Sequence, residues 1–493
     1  MSYRSVFYVV GKILVILGTL LFLPFFVAVY YNYHGFNEGP FIYQSFLIPS
    51  FSLIIFGYIL QLFKPKKISI YAREGFVICG ISWFLMSIFG AMPFYLSHCI
   101  PNFMDAFFET ASGFTTTGSS ILKQIEGLPK SILFWRSFTH WIGGMGILTF
   151  MIAVLPRSQG NSMNVMKAEV PGPKASKVRA KISQSAQILY IVYIALTLLE
   201  MAVLFFGSRI SGDRLRLYDC VVNAFSNAGT GGFAVLNNSI LGYHSKFVEW
   251  TIIVFMFLFG TNLNLIYFLL LKNFKSVFRD EEFRAYVLIN VSSVALITLN
   301  IMKMYNHIGD AIRDSFFVVN ATMSTTGFGT ADFDKWPTFS KMLVIMLMFV
   351  GGCVGSTGGG IKVSRIVVYF KQTVRDFKQM LHPNHLVKVK MNGRRVDGEI
   401  MKGLSSYLVA FILTMIVSML LLSFNGFDMT TTASAVITCL NNVGPGLELV
   451  GPTQNFALFS NFSKLVLIFD MLAGRLELFP ILLLLFPKTW KKS

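Results

Sequence analysis

Four short segments combine glycine with small polar residues, and their composition suits the binding of an ion. They read TTTGSS around Gly118, NAGTGG around Gly229, STTGFG around Gly327 and NNVGPG around Gly444, at near-regular intervals. Glycine permits backbone angles that point successive carbonyl oxygens to one side. Several converging strands of carbonyls can replace the hydration shell of a dehydrated monovalent cation. The segments therefore predict a pore lining built from four pseudo-equivalent pieces of one chain.

The composition indicates a membrane protein. The 493 residues are 54% hydrophobic and only 13% charged, whereas soluble proteins are about 25% charged. Apolar stretches of about 20 residues, long enough to cross a bilayer as helices, recur along the chain. The first of them, Val6 to Tyr30, is longer than a secretory core and lacks an A-x-A cleavage site, so we expect a retained helix. The 50 phenylalanines and 23 methionines suit lipid-facing and helix-packing surfaces. We predict an all-α polytopic membrane protein.

The net charge of +18 indicates topology rather than nucleic-acid binding, because the basic residues cluster in particular loops. By the positive-inside rule these loops face the cytoplasm. If the helices are threaded in order, both termini lie there and the glycine segments, which carry most of the loop acids, face outward. The basic clusters are Lys64, Lys66, Lys67 and Arg73; Arg157, Lys167, Lys174, Lys177, Arg179 and Lys181; Lys272, Lys275, Arg279 and Arg284; Lys362 through Lys402; and Lys488, Lys491 and Lys492. The five cysteines show no ligand spacing and are interpreted as small apolar residues.

The order of apolar runs predicts an N-terminal two-helix hairpin followed by four membrane–pore–membrane repeats around a quasi-fourfold pore. The hairpin comprises segments 6–30 and 42–63. Each repeat contains an apolar helix, a short amphipathic helix, a glycine segment and a second apolar helix. The predicted divisions are residues 1–70 for the hairpin, and 71–157, 158–275, 276–395 and 396–493 for the repeats.

The short helices are predicted near Asn102–Gly113, Tyr218–Asn227, Asp310–Ser324 and Asp428–Asn441. Each begins near an acid, which suits the positive end of a helix dipole. They are too short to span a bilayer, and irregular backbone at membrane depth occurs only where protein buries it or water lines it. Re-entrant pore loops meet both conditions. The alternative for any one segment is an ordinary outer loop with turn glycines, but four segments in matching context favour the pore.

Together these motifs resemble the Trk/Ktr/HKT superfamily of potassium transport proteins. The two extra N-terminal helices and the length resemble its Trk-type membrane subunit, as do FWRSFTHWIGGMG at Phe134–Gly146 and DMLAGR at Asp470–Arg475. The resemblance implies a filter whose four strands are Thr116, Thr117 and Gly118; Asn227, Ala228 and Gly229; Thr325, Thr326 and Gly327; and Asn442, Val443 and Gly444. A serine in place of the first-strand glycine is associated with sodium permeation in this family. Gly118 therefore implies a preference for potassium.

A second glycine follows two residues later in three of these strands, at Gly231, Gly329 and Gly446. The first strand has Ser120 at that place, which predicts an asymmetric or weaker outermost ring.

Two further features lie beyond the filter in sequence. The second helix of the third repeat is interrupted by a run containing Gly351, Gly352, Gly355, Gly358, Gly359 and Gly360, and glycine costs about 1 kcal/mol in a helix interior. The resemblance implies an intramembrane gating loop; close packing of helices through small residues is the alternative.

Arg475 lies within the last apolar helix, where the family carries a pore-facing arginine; a structural ion pair with Asp470 or Glu477 is the alternative. His140 and Glu200 also lie in apolar helices and receive no function.

The resemblance implies potassium uptake across a bacterial cytoplasmic membrane, with potassium as substrate and no cofactor or nucleic acid. It further implies a homodimer and a separate cytosolic nucleotide-binding regulatory ring, for which the basic segments 157–182 and 362–402 are plausible docking surfaces. The chain itself has no Walker or dinucleotide fingerprint, and no hydrolase or metalloprotease motif that would indicate an enzyme. The alternative function is a sodium- or proton-coupled secondary transporter with discontinuous helices.

Overall fold

The structure, a computed structural model, describes residues 2–65, 71–146, 182–383 and 388–491. The division predicted at residues 157–158 and most of the basic segment 157–182 lie outside these ranges. The described α-helices, α1 to α19 in chain order, are Tyr3–Leu20, Phe22–Tyr33, Ile42–Gln61, Ala72–Leu96, Phe103–Phe114, Lys130–Gly144, Ile182–Ser211, Leu217–Ala228, Lys246–Gly260, Leu263–Leu270, Phe274–Phe278, Glu281–Ile301, Ile308–Met323, Thr338–Val350, Val363–Leu381, Gly398–Leu422, Met429–Asn441, Asn461–Arg475 and Phe479–Leu485. One antiparallel hairpin pairs β1 (Lys390–Met391) with β2 (Arg394–Arg395).

The N-terminal hairpin is present as predicted, since α1 continues into α2 and α3 packs along α1. The two helices approach closely at Gly11 and Gly57. A β-carbon on Gly11 would lie 2.5 Å from the carbonyl oxygen of Gly57, and one on Gly57 would lie 2.6 Å from that of Gly11. Small residues at such crossings let backbones pack without intervening side chains.

Six described helices are long and apolar enough to span a membrane, or seven if the bent pair of α9 and α10 is one span. The four short helices predicted from the sequence are confirmed as α5, α8, α13 and α17. Each follows a spanning helix, α4, α7, α12 or α16, and precedes an extended glycine segment. Asn102 and Asp428 accept hydrogen bonds at the starts of α5 and α17 from the backbone N–H groups of Met104 and Thr431, which satisfies donors that a helix start leaves free.

The second helix of one unit packs on the short helix of the next, so the four units form a closed ring. Helix α6 of the first unit contacts α8 of the second, α9 contacts α13, α14 contacts α17, and α18 of the last unit returns to α5 of the first. The ends of the short helices and the glycine segments therefore meet near one central axis.

All four second helices end at comparable points. Helix α6 ends at Gly144, α9 at Gly260, α14 at Val350 and α18 at Arg475. The break in the third unit is the one predicted from its glycine run. The break in the second unit, where α10 leaves α9 at an angle of 102°, was not predicted.

Candidate ion filter and gate

The four segments after the short helices share one backbone conformation. Left-handed angles occur at Thr116, Thr230, Thr325 and Asn442, with φ between 55° and 59°. They occur again two residues later, at Gly118, Gly232, Gly327 and Gly444, with φ between 72° and 105°. The residue between these two positions donates its N–H to the carbonyl five residues earlier in every segment, at 2.8–2.9 Å, from Thr117, Gly231, Thr326 and Val443. These shared features fix which residues are equivalent.

This equivalence corrects the register expected for the second segment. Asn227 and Ala228 belong to the last turn of α8, and Gly229 caps it with a helical φ of −68°. Thr230, Gly231 and Gly232 take the places predicted for Asn227, Ala228 and Gly229. The side chain of Asn227 instead donates to the buried carboxylate of Glu200, at 2.6 Å.

The corrected register also changes which residue of the second segment lies two positions after the ring glycine. Gly329 and Gly446 keep their positions in the third and fourth segments, whereas the second segment now has Ala234 there and the first has Ser120. Two of the four outermost positions therefore lack glycine, not one. The Ser120 hydroxyl donates to the buried carboxylate of Glu109 at 3.0 Å.

The segments touch in cyclic order around a ring. A β-carbon on Gly118, Gly232 or Gly327 would come closer than 3.0 Å to a carbonyl oxygen of the next segment: that of Gly231, Thr326 or Val443, respectively. A β-carbon on Gly444 would lie 2.9 Å from the carbonyl oxygen of Thr117, which closes the circle. Glycine is required at these four positions both by its positive φ and by the neighbouring carbonyl.

Buried side chains behind the ring fix the first and third strands within their own units and connect the fourth strand to the first. The hydroxyls of Thr115 and Thr117 are 2.8 Å apart, and those of Ser324 and Thr326 are 2.6 Å apart. Asn442 donates to the Thr117 hydroxyl at 2.9 Å and so joins the last segment to the first. Because these groups are buried and paired, the ring is supported without any charged side chain on it.

A cavity of about 450 Å³ opens on the side of the ring where the short helices begin. Its lining includes the ring glycines and the loops that follow them. At its wall Arg136 binds Glu109 at 2.6 Å and the carbonyl of Ala234 at 3.0 Å. This pair, fully buried, links the first and second segments.

The loop 351–362 lies directly against the opposite side of the ring. The N–H of Gly359 donates to the Thr325 hydroxyl at 2.6 Å, and a β-carbon on Gly359 would lie 2.5 Å from the carbonyl of Asn441. The loop is also bonded to the second unit, since Cys353 donates to the Gly260 carbonyl at 2.9 Å. The glycines predicted to form a gate are therefore placed beneath the third and fourth strands.

Arg475 joins this loop to the end of α6. Its guanidinium donates to the carbonyl of Thr357 at 2.7 Å and to those of Gly143 and Gly144 at 2.6 and 2.7 Å. The two acids considered as its ion-pair partners have other partners: Glu477 binds Arg365 at 2.5 Å and Asp470 accepts from Ser418 at 2.6 Å.

Sequence reasoning missed the role of Lys362, which lies two residues after Gly360. It is 1% exposed, its amine donates to the carbonyl of Gly358, and it lines a cavity of about 60 Å³ together with Arg475. A lysine two residues after a glycine run, in an apolar context, was the available signal. Two basic side chains thus lie beside the small space beneath the ring.

Comparison with known proteins identifies the family. Residues 42–492 match the model of the TrkH family, described as cation transport protein. The chain belongs to the TrkH family. It is 34% identical to the Trk system potassium uptake protein TrkH of Salmonella typhimurium and to that of Escherichia coli K12, over the full length of each protein. It is 30% identical to the potassium transporter TrkH of Vibrio parahaemolyticus, whose crystal structure matches at a TM-score of 0.87 over the whole of both chains.

Membership confirms the predicted fold class and the resemblance to Trk-type membrane subunits, and it places the chain among transport proteins rather than enzymes. Together with the apolar helices, it makes the chain a multi-pass membrane protein. Within the described residues, no group of three or more His, Cys, Asp or Glu side chains is arranged to hold a metal ion.

Proposed function

We propose that this chain takes up potassium through the ring of backbone carbonyls at the centre of its four units. The observation that carries the proposal is the cyclic contact of Gly118, Gly232, Gly327 and Gly444 with the carbonyls of the adjacent strands. Carbonyl oxygens can replace the hydration shell of potassium, so no charged side chain is needed. The Trk relatives, named potassium uptake proteins, support potassium as the substrate.

The filter strands of the proposal are Thr116–Gly118, Thr230–Gly232, Thr325–Gly327 and Asn442–Gly444. The pore helices that precede them direct their carboxyl-terminal ends, which carry partial negative charge, towards the ring. A cation at the ring is stabilised by these dipoles as well as by the carbonyls.

The loop 351–362 and Arg475 form the proposed gate. The loop lies across the path on the far side of the ring, and Arg475 ties it to α6 through three carbonyl contacts. The positive charge of Arg475 also disfavours a cation next to the loop. Release of these contacts would let the loop move away from the ring and open the path.

Orientation and partners complete the proposal. The basic segments around α15 and β1–β2 face the cytoplasm by the positive-inside rule, so both termini are cytoplasmic and the larger cavity opens outward. From the resemblance to Trk-type membrane subunits we further propose two partners, a second copy of the chain and a cytosolic nucleotide-binding assembly that docks on the segment 362–402. Binding of the cytosolic partner to this surface would act on the gate, because α15 begins at the end of the loop 351–362.

The test is ion flux in proteoliposomes with defined potassium, sodium and proton gradients, with and without the cytosolic partner. We expect potassium-dependent flux that exceeds sodium flux, and a Gly118→Ser variant whose potassium preference falls by about tenfold or more, since the added side chain displaces the Gly231 carbonyl. Gly127→Ser is the matched control, because Gly127 also has a positive φ but has no atom within 4 Å of an added β-carbon.

Absence of potassium or rubidium flux in both conditions would refute the proposal. Flux that follows the sodium or proton gradient would instead support the coupled secondary transporter. An unchanged potassium preference in Gly118→Ser would remove Gly118 as a determinant of selectivity.

A further inference from the structure

His140 lies directly behind the second strand of the ring. The residue is fully buried in α6, and neither ring nitrogen has a hydrogen-bond partner among the described residues. A β-carbon on Gly231 would come closer than 3.0 Å to three atoms of the imidazole, Cγ, Nδ1 and Cε1. The imidazole therefore occupies the space that a side chain at position 231 would need.

The other three strands fill the equivalent space with their own side chains. Thr117, Thr326 and Val443 stand at the position of Gly231, and each is fully buried. Two of them are further fixed by the hydroxyl pairs with Thr115 and Ser324. The second strand has no side chain at this position and no such pair.

The backbone of Gly231 does not itself require glycine. The positive φ angles of this strand occur at Thr230 and Gly232, and Gly231 has none. A residue with a side chain would adopt this conformation without the strain that a left-handed position imposes. The steric demand for glycine comes from His140.

The imidazole is held in place by its surroundings. It stacks on the ring of Phe233 with centroids 4.1 Å apart, and the guanidinium of Arg136 lies over the same phenylalanine at 3.5 Å. A β-carbon on Gly229 would lie 3.0 Å from that of His140. Residues on both sides of Gly231 thus pack against the same turn of α6.

We propose that His140 is a positioning residue for ion selection, whose imidazole supplies the side-chain volume that the second strand lacks and keeps the Gly231 carbonyl in the ring. The inference rests on the proposed potassium filter. Glycine has the greatest backbone freedom of any residue, so a void behind Gly231 lets its peptide turn away from the axis. Selectivity that depends on the number and field strength of the carbonyls then falls.

The test is a two-residue cycle of His140→Ala, Gly231→Thr and the double variant, read as the ratio of potassium to sodium flux in proteoliposomes. We expect His140→Ala to lower the ratio by about tenfold, because one carbonyl of the ring is no longer held. Gly231→Thr alone should lower it as well, since its side chain collides with the imidazole. In the double variant the threonine fills the vacated space as in strands one and three, and most of the selectivity returns.

Phe94→Ala provides a control for loss of a buried aromatic ring, because Phe94 lies in α4 and is 1% exposed. It should lower the melting temperature without changing the ion ratio. If His140→Ala fails to fold but the double variant folds and is selective, the inference stands. If neither folds, or if the double variant is no more selective than the single ones, it is refuted.

The outcomes also separate this inference from the proposed function. Suppose that the wild-type protein is selective, that Gly118→Ser alters the potassium-to-sodium flux ratio and that His140→Ala does not. This result would refute the role of His140 and leave the proposed filter intact. A wild-type protein without potassium preference would refute the filter itself.

Discussion

The carbonyl ring and the loop beneath it are held in different ways. Each ring strand is bonded mainly to its own pore helix, through the N–H bond five residues back and the hydroxyl pairs behind the first and third strands. The loop 351–362 is bonded largely to other units, through Gly260 of the second and Arg475 of the fourth. Apart from the second strand, which packs against His140 of the first unit, the ring is therefore specified locally. The loop depends on separate tertiary contacts, each of which can be lost without the others.

This difference predicts two kinds of functional change. Damage to the ring should alter ion selection, because one displaced carbonyl changes the coordination of every ion that passes. Damage to the loop contacts should alter the amount of flux while selection is preserved, because the equilibrium between closed and open loop shifts.

The largest effect is expected from Gly327→Ala. Gly327 has a φ of 72°, and its added β-carbon would collide with the Val443 carbonyl. We expect loss of potassium-selective flux by about 100-fold, since strain and collision act on the same ring position. Gly426→Ala is the control, because Gly426 has the same φ of 72° with open space around it. Equal losses in the two variants would assign the effect to backbone strain rather than to the ring.

Arg475→Ala should have the next largest effect, in the opposite direction. Three carbonyl contacts tie the loop to α6 through this side chain, and hydrogen bonds to charged groups contribute about 1.5–3 kcal/mol each. If the closed state loses even one of these hydrogen bonds, the population of molecules with an open loop rises about tenfold. Potassium flux without the cytosolic partner should rise accordingly, with the potassium-to-sodium ratio unchanged. A fall in flux would show that Arg475 supports the open path instead.

Glu477→Gln should produce a smaller increase in flux. Glu477 binds Arg365 of α15, which also lies over the ring of Tyr407 at 4.1 Å. The pair is partly exposed, so its contribution is limited to about 1 kcal/mol and the expected rise in flux to about fivefold at most. Asp376→Asn is a matched control that neutralises an acid paired with Arg375 in the same helix, away from the loop. If both variants behave alike, the effect belongs to the surface charge of α15.

The sequence predicted the parts of the site that are specified locally. Pore helices α5, α8, α13 and α17 begin near acids and end before glycine, and all four appear where they were expected. The first, third and fourth strands offered one glycine at the required left-handed position, so their register followed directly. The fold class required only the apolar runs and the fourfold recurrence.

The second strand was misplaced because two glycine patterns overlap in NAGTGG. Gly229 is needed for packing, since a β-carbon on it would lie 2.3 Å from the carbonyl oxygen of His140. Gly232 supplies the positive φ. Only the arrangement of α6 behind the strand distinguishes these two uses of glycine. The bend after Gly260 was missed for a similar reason: it is stabilised by the N–H of Leu263 donating to the Gly355 carbonyl of another unit, at 3.1 Å.

Ser119→Ala should have the smallest effect and gives the most sensitive test of the difference between ring and loop. The Ser119 hydroxyl donates to the Gly444 carbonyl at 3.0 Å, so it joins the first and fourth strands just beyond the ring. Its loss should cost about 1 kcal/mol of stability and lower the melting temperature of the purified protein by a few degrees. The ion ratio should change by less than about twofold, because the N–H groups of Thr117 and Val443 still donate to their own pore helices and so keep these strands in place. A large loss of selectivity would show that the strands depend on one another, and that the ring is specified by contacts between units just as the loop is.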